Sequence, residues 1–198
     1  MYKRQVTNKG IELALGFKQN IGPVDWKTTL LWSLNRNRID QLLPEYTNEE
    51  LGVTVHLEEM DVYSLGGAKQ RLTVGGSMGD VYVNTMRTDE HGHIWMNSMT
   101  GTLETDKNNY VYAGNTNPKY TLSWRNEFNW KGISLGFMLN ARVGGIGVSA
   151  TQAVMDYYGV SKTSAEARDN GGVKVNGQMI DAQTWYQTIG ANGTGYVG

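Results

Sequence analysis

Two histidines one residue apart, His91-Gly92-His93, set both imidazoles on one side of an extended chain, the start of a metal pair. They follow Asp89-Glu90, which reads as a turn, and with no third ligand in view they fall short of the three or four donors a metal site brings. Gly145-Ile146-Gly147-Val148-Ser149-Ala150 fits the G-x-G-x-x-A nucleotide fingerprint, with Glu166 about 20 residues on. The strand before it alternates, however, whereas a nucleotide-binding strand is buried on both faces and reads as one apolar run. Glu58, Glu59, Asp61 and Asp181 carry carboxylates suited to acid–base work, but no spacing pairs two of them, and solvated loop charge is the expected reading. Tyr46, Tyr63, Tyr157, Tyr158, Trp185 and Tyr186 fall in long polar segments, where an exposed ring could stack on a sugar or a peptide side chain. Plain loop packing competes with that reading for each of them. No catalytic, cofactor-binding or metal-binding residue is assigned, no cofactor is expected, and no enzyme activity.

The composition narrows the classes further. The 198 residues carry 18 Lys+Arg against 19 Asp+Glu, a net charge of -1, which excludes a basic nucleic-acid binder. There is no cysteine, hence no disulfide framework, no thiolate zinc site and no thiol nucleophile. Six Trp and eleven Tyr against three Phe put a polar tip on most aromatic side chains, which suits a boundary between dry and wet. A mean hydropathy of -0.45 and no apolar run near 18 residues exclude a transmembrane helix. A membrane β-barrel is left open, because its strands are apolar on one face only.

Strands are what the pattern supplies. Ile11, Leu13, Leu15 and Phe17 alternate with Gly10, Glu12, Ala14, Gly16 and Lys18. After a Gly22-Pro23 turn, Trp26, Thr28, Leu30, Trp32 and Leu34 share one face, and Lys27, Thr29, Leu31, Ser33 and Asn35 the other. Tyr120, Leu122, Trp124, Phe128 and Trp130 make a third apolar row, interrupted by Asn126; Arg125 and Glu127 lie opposite. Lys131-Gly132 signals a hairpin into a fourth row, Ile133, Leu135, Phe137, Leu139, Ala141 and Val143, with Arg142 on the polar side. Strands of about ten residues suit a tilted crossing of a bilayer. Arg71 to Asn84 reads as one strand with a bulge near Gly79-Asp80, and Ile94 to Leu103 as a poor strand. Thr151 to Tyr158 predicts a helix ended by Gly159; Thr163-Ser164-Ala165-Glu166 predicts a capping box opening another, ended by Asn170-Gly171.

Both short turns fall at one end of the hairpins and the long segments at the other. Trp26 follows one turn and Trp130 precedes the other, so antiparallel neighbours would set both indoles at one level, as an aromatic girdle does. A soluble secreted β-sandwich that binds glycans through its loops is the alternative, and there the tryptophans would be core.

Several segments together resemble the SusC/RagA family of TonB-dependent outer-membrane transporters. They are Val6-Thr7-Asn8-Lys9-Gly10-Ile11-Glu12-Leu13, Trp26 to Asp40 with its Asn35-Arg36-Asn37-Arg38-Ile39-Asp40 end, and Val74-Gly75-Gly76-Ser77-Met78-Gly79-Asp80-Val81-Tyr82. Gly114-Asn115-Thr116-Asn117-Pro118-Lys119-Tyr120 with the Lys131-Gly132-Ile133-Ser134 hairpin is the most specific, and Ala165 to Val173 matches a late loop. The resemblance implies a Gram-negative cell outer membrane, import of oligosaccharides or peptides, a SusD-like surface lipoprotein as partner, and the TonB complex as energy source through parts outside these strands. Outer-membrane lipid is the other partner implied, and nucleic acid is not.

The expected fold is all-β: antiparallel up-and-down strands of a partial transmembrane β-barrel, about six strands, with short helices in one long loop. Residues 1–5 are expected to be an adapter scar, 6–143 barrel strands with an external loop over 41–70, and 144–198 an external loop that is cut. Glu12, Lys18, Lys27, Arg125, Glu127 and Arg142 are expected to line the polar interior. No substrate-binding residue is assigned.

Overall fold

A computed structural model describes residues 5–48, 50, 52–65 and 67–192. Four of the five residues expected to be a scar lie outside them; Gln5 opens the first strand. In chain order the elements are β1 (Gln5–Ile21), β2 (Val24–Gln41), β3 (Leu43–Asn48), β4 (Val53–Leu57), β5 (Glu59–Leu65), β6 (Ala68–Thr73), β7 (Asp80–Met86) and β8 (Thr105–Asn115). There follow β9 (Tyr120–Trp130), β10 (Ile133–Val143), α1 (Ala150–Tyr157), α2 (Lys162–Asp169), β11 (Val173–Val175), β12 (Gln178–Ile180) and α3 (Ala182–Asn192). The architecture is mostly antiparallel β, and it divides into two compact units. One takes in the chain up to Glu58, Thr73–Met78 and Asn115–Gly145; the other takes in Glu59–Leu72, Gly79–Gly114 and the chain from Ile146.

The first unit is built on a four-stranded sheet in the order β1-β2-β9-β10, antiparallel throughout. Both hairpins expected from the alternation thus lie in one sheet. β2 pairs directly with β9 although residues 42–119 intervene, so the four strands run up and down as neighbours. The expected count of about six is corrected to four, and among the described residues the sheet does not close: β1 and β10 are its edges. β1 and β2, at 17 and 18 residues, are longer than the ten expected, because the pairing continues beyond the apolar rows into Thr7–Lys9 and Arg36–Arg38. The β9–β10 turn has Lys131 at φ 47° and Gly132 at φ 86°, the twin left-handed residues of a two-residue hairpin.

The intervening stretch makes sheets of its own, β3–β4 and β5-β6-β7-β8. Arg71 to Asn84 is not one bulged strand: β6 ends at Thr73, the chain reverses, and β7 starts at Asp80. The parity slip is therefore a reversal, permitted by Gly75 at φ 86°. Its loop is stitched to the far end of β2. Ile39 N–H donates to Gly76 O (2.8 Å), Gly75 N–H donates to Ile39 O (2.7 Å), and Asn37 Oδ1 accepts from Ser77 Oγ (2.6 Å) and Met78 N–H (2.7 Å). Ile39 is wholly buried beneath it. Ile94 to Leu103 is held only by isolated bridges, Thr88 to Ile94 and Met96 to Leu103.

In the second unit α1 ends as expected, with Gly159 at φ 69° just past its C-cap, Tyr158. α2 begins two residues before the expected capping box, because Ser161 and not Thr163 is the N-cap; its Oγ accepts from Ser164 N–H (3.0 Å). α3 was not foreseen; Asp181 caps it, accepting from Thr184 N–H at 3.0 Å.

Candidate functional site

The register of the four-stranded sheet gathers its apolar rows on one face, with Leu31 and Met138 left on the other. Leu13, Trp32, Leu122 and Ala141 form one cross-strand row, and Leu15, Leu30, Trp124 and Leu139 the next. Ile11 pairs with Leu34, and Leu135 with Phe128, on the same face. Nothing described covers this face: Leu13 is 48% exposed, Leu15 55% and Leu135 63%. In a sandwich those residues would be packed under a second sheet.

Two of the indole N–H groups on the apolar face are bonded within it. Asn126, the one break in the third row, is 1% exposed, and its Oδ1 accepts from Trp26 Nε1 at 3.1 Å. Trp124 Nε1 donates to Thr28 Oγ1 (2.9 Å), which donates in turn to Arg125 O (3.3 Å). Asn126 Nδ2 stays buried without an acceptor. Around these bonds Phe17, Trp26, Phe128, Phe137 and Trp124 make edge-to-face and stacked contacts, with ring centroids 5.7 to 6.3 Å apart. At the turn end Trp130 pairs with Val24, whereas Trp26 pairs with Phe128. The two indoles thus sit two residue pairs apart and not at a single level: the two turns are level, but Trp130 adjoins its turn whereas Trp26 stands two residues beyond the closing residue Val24.

The opposite face carries the six charged residues expected for the interior. Lys27 lies between Lys18 and Glu127, and Glu127 reaches Lys27 at 4.0 Å and pairs more closely with Arg125. Glu12 and Arg142 fall on the same side by register, and Ser33 and Thr121 share a hydroxyl bond of 2.6 Å. Asn37 and Ile39 are on this side too, so the 73–78 loop lies over the polar face at the end away from the turns.

A second feature is a cleft of about 440 Å³ walled by the three helices. Tyr157, Tyr158 and Tyr186, three of the six loop aromatics singled out, meet there with Arg168, Gln183 and Gln187. Its floor is a polar network: Asp156 is buried, and its Oδ1 accepts from Gln152 Nε2 (2.9 Å), Thr163 Oγ1 (3.0 Å) and, at shorter range, Ser161 Oγ. Trp185 does not line the cleft, Tyr63 stands exposed on β5, and the Tyr46 side chain lies outside the described ones.

The remaining candidates resolve into local structure. Asp89 organises the histidine turn: its Oδ1 accepts from His91 N–H (2.8 Å) and His93 N–H (2.9 Å), and its Oδ2 meets His93 Nδ1 at 3.2 Å. The His93 backbone bond, more than any other contact, holds that carboxyl below the usual range. Among the described residues no group of three or more such ligands could hold a metal. The Gly145–Ala150 stretch follows β10, which pairs antiparallel with β9, so the parallel crossover of a nucleotide fold is missing there, and Ser149 caps α1 with its own hydroxyl. Glu58 meets His56 at 3.2 Å. Glu59 and Asp61, read as loop charge, lie on β5 and are joined through Arg71 (3.1 and 2.8 Å), with Lys69 on Asp61 at 2.7 Å. Lys69 also sits 3.5 Å over the Tyr110 ring. Sequence reasoning missed Lys69, Arg71 and Tyr110 because only strand pairing brings them together.

No protein-family model matches the chain, and no curated protein matches it.

Proposed function

We infer that this chain supplies membrane-spanning strands to an outer-membrane β-barrel transporter of the SusC/RagA kind, taking up oligosaccharides or peptides with a SusD-like lipoprotein and the TonB complex. The observation that carries the reading is the uncovered apolar face of β1-β2-β9-β10, on which the Trp26 and Trp124 N–H groups are bonded inside the sheet. In hydrocarbon each unpaired polar group costs several kcal/mol, whereas in water no such bonding is required. Ile11 to Ile21 spans roughly 33 Å of strand at about 3.3 Å per residue. Tilted by about 40°, that gives a band near the 25 Å height of an outer-membrane barrel. The Trp130 N–H, at the turn end, has no partner among the described residues and suits a headgroup, with Lys131 5.7 Å from the ring. Four strands are half of the smallest barrel, so the edges β1 and β10 take further strands. The polar face lines the interior, and the segments at the far end face the outside.

Paired arginines test this. In the assembled barrel Leu13→Arg puts a charge into the bilayer at about 2–4 kcal/mol, while the adjacent Ala14→Arg faces the lumen and costs much less. Folding titrations into lipid vesicles read the difference, and equal tolerance of the two would refute the assignment.

A further inference from the structure

We propose that the cleft between α1, α2 and α3 is a carboxylate-recognition site for one ring-sized unit, with Arg168 as the group that takes the anion. Arg168 is seated by a backbone device. Its Nη1 donates to Gly159 O at 2.6 Å, and a Cβ at residue 159 would stand 2.7 Å from that nitrogen. Glycine at φ 69° therefore both ends α1 and leaves the space the guanidinium fills. That bond uses one of five donors. No carboxylate pairs with Arg168 among the described residues, and the acid in the cleft wall, Asp156, is occupied by its hydroxyl and amide donors. A held guanidinium with its fork open matches a carboxylate's two oxygens.

The rest of the cleft fits what such a carboxylate would be attached to. Tyr158 is 72% exposed, with Tyr157 edge-on to it at 5.1 Å, and Tyr186 lines the cleft from α3, its hydroxyl directed to Thr163 O at 3.5 Å. Gln183 and Gln187 stand four residues apart on α3, offering amides to hydroxyl or peptide groups. About 440 Å³ suits one ring and its substituents. Two sources share this chemistry, a uronic-acid unit of an acidic glycan and the C-terminal aromatic residue of a peptide. The inference needs only the helical cleft and stands apart from the membrane assignment.

Titration of the full chain in detergent micelles with galacturonate, galactose and N-acetylphenylalanine, followed by ligand-observed NMR at low salt, tests it. At least one carboxylate should bind about tenfold tighter than galactose, and whichever binds names the source. Arg168→Gln should abolish the binding, and Arg168→Lys, which keeps the charge and loses the fork, should weaken it by several fold. Tyr158→Ala, at an exposed ring and with circular dichroism checking that the fold is kept, should weaken it as well. Galactose binding as tightly as galacturonate, neither carboxylate binding, or full binding by Arg168→Gln or Tyr158→Ala would overturn the proposal.

Discussion

Asn126 is the residue at which the alternation breaks, and its role follows from where the break falls. A polar side chain in an apolar row is a defect unless it serves a neighbour, and here it accepts the Trp26 indole proton. The exception was legible in the sequence; its reason was not, because the partner lies on a strand a hundred residues away in the chain. Asn126→Ala leaves the Trp26 N–H without an acceptor and should cost about 1–2 kcal/mol. Urea unfolding in micelles, followed by tryptophan fluorescence, measures this, and a neutral result would mean that the indole finds solvent. Arg168 was equally invisible as a site residue, since its significance rests on Gly159 and on tyrosines from two other helices.

Elements with period two are legible in the sequence, and elements fixed by long-range pairing are not. The four long strands and both hairpins follow from alternation and turn residues alone. β6 and β7 look like one strand in the sequence because a reversal and a bulge shift parity in the same way, and α3 is hidden because its cap, Asp181, is one more carboxylate among several. The β9–β10 turn carries a lysine where asparagine is favoured. Lys131→Asn should stabilise the hairpin by roughly 0.5–1 kcal/mol, and Gly132→Ala should destabilise it by about as much or more, in the same unfolding assay. In β5–β6 the Arg71 hydrogen bond, with help from Lys69, holds the Asp61 carboxyl below the usual aspartate range. A depressed folded value means that the stabilisation is present above the unfolded pKa of about 3.9 and is lost as pH falls through the lower folded value. Hydrogen-exchange protection of β5 and β6 should therefore hold from pH 7 to about 5 and decline below about 4, and Asp61→Asn should remove that decline. Asp61 is partly exposed, so solvent screening keeps the effect within about 1 kcal/mol.

At the scale of the whole molecule the described sheet has one apolar face, one polar face and two open edges. Such a surface aggregates in water. The isolated chain should need detergent, and a sharp monomer peak without it would count against the membrane assignment. The most direct measurement uses the absence of cysteine from the sequence. Single cysteines placed in turn at positions 11 to 17, spin-labelled in lipid bilayers, report whether each site meets lipid or water. The account predicts an alternation of period two: oxygen dissolved in lipid reaches labels at 11, 13, 15 and 17, and a water-soluble nickel complex reaches those at 12, 14 and 16. Equal access at odd and even positions, or access to the nickel complex along the odd row, would contradict it.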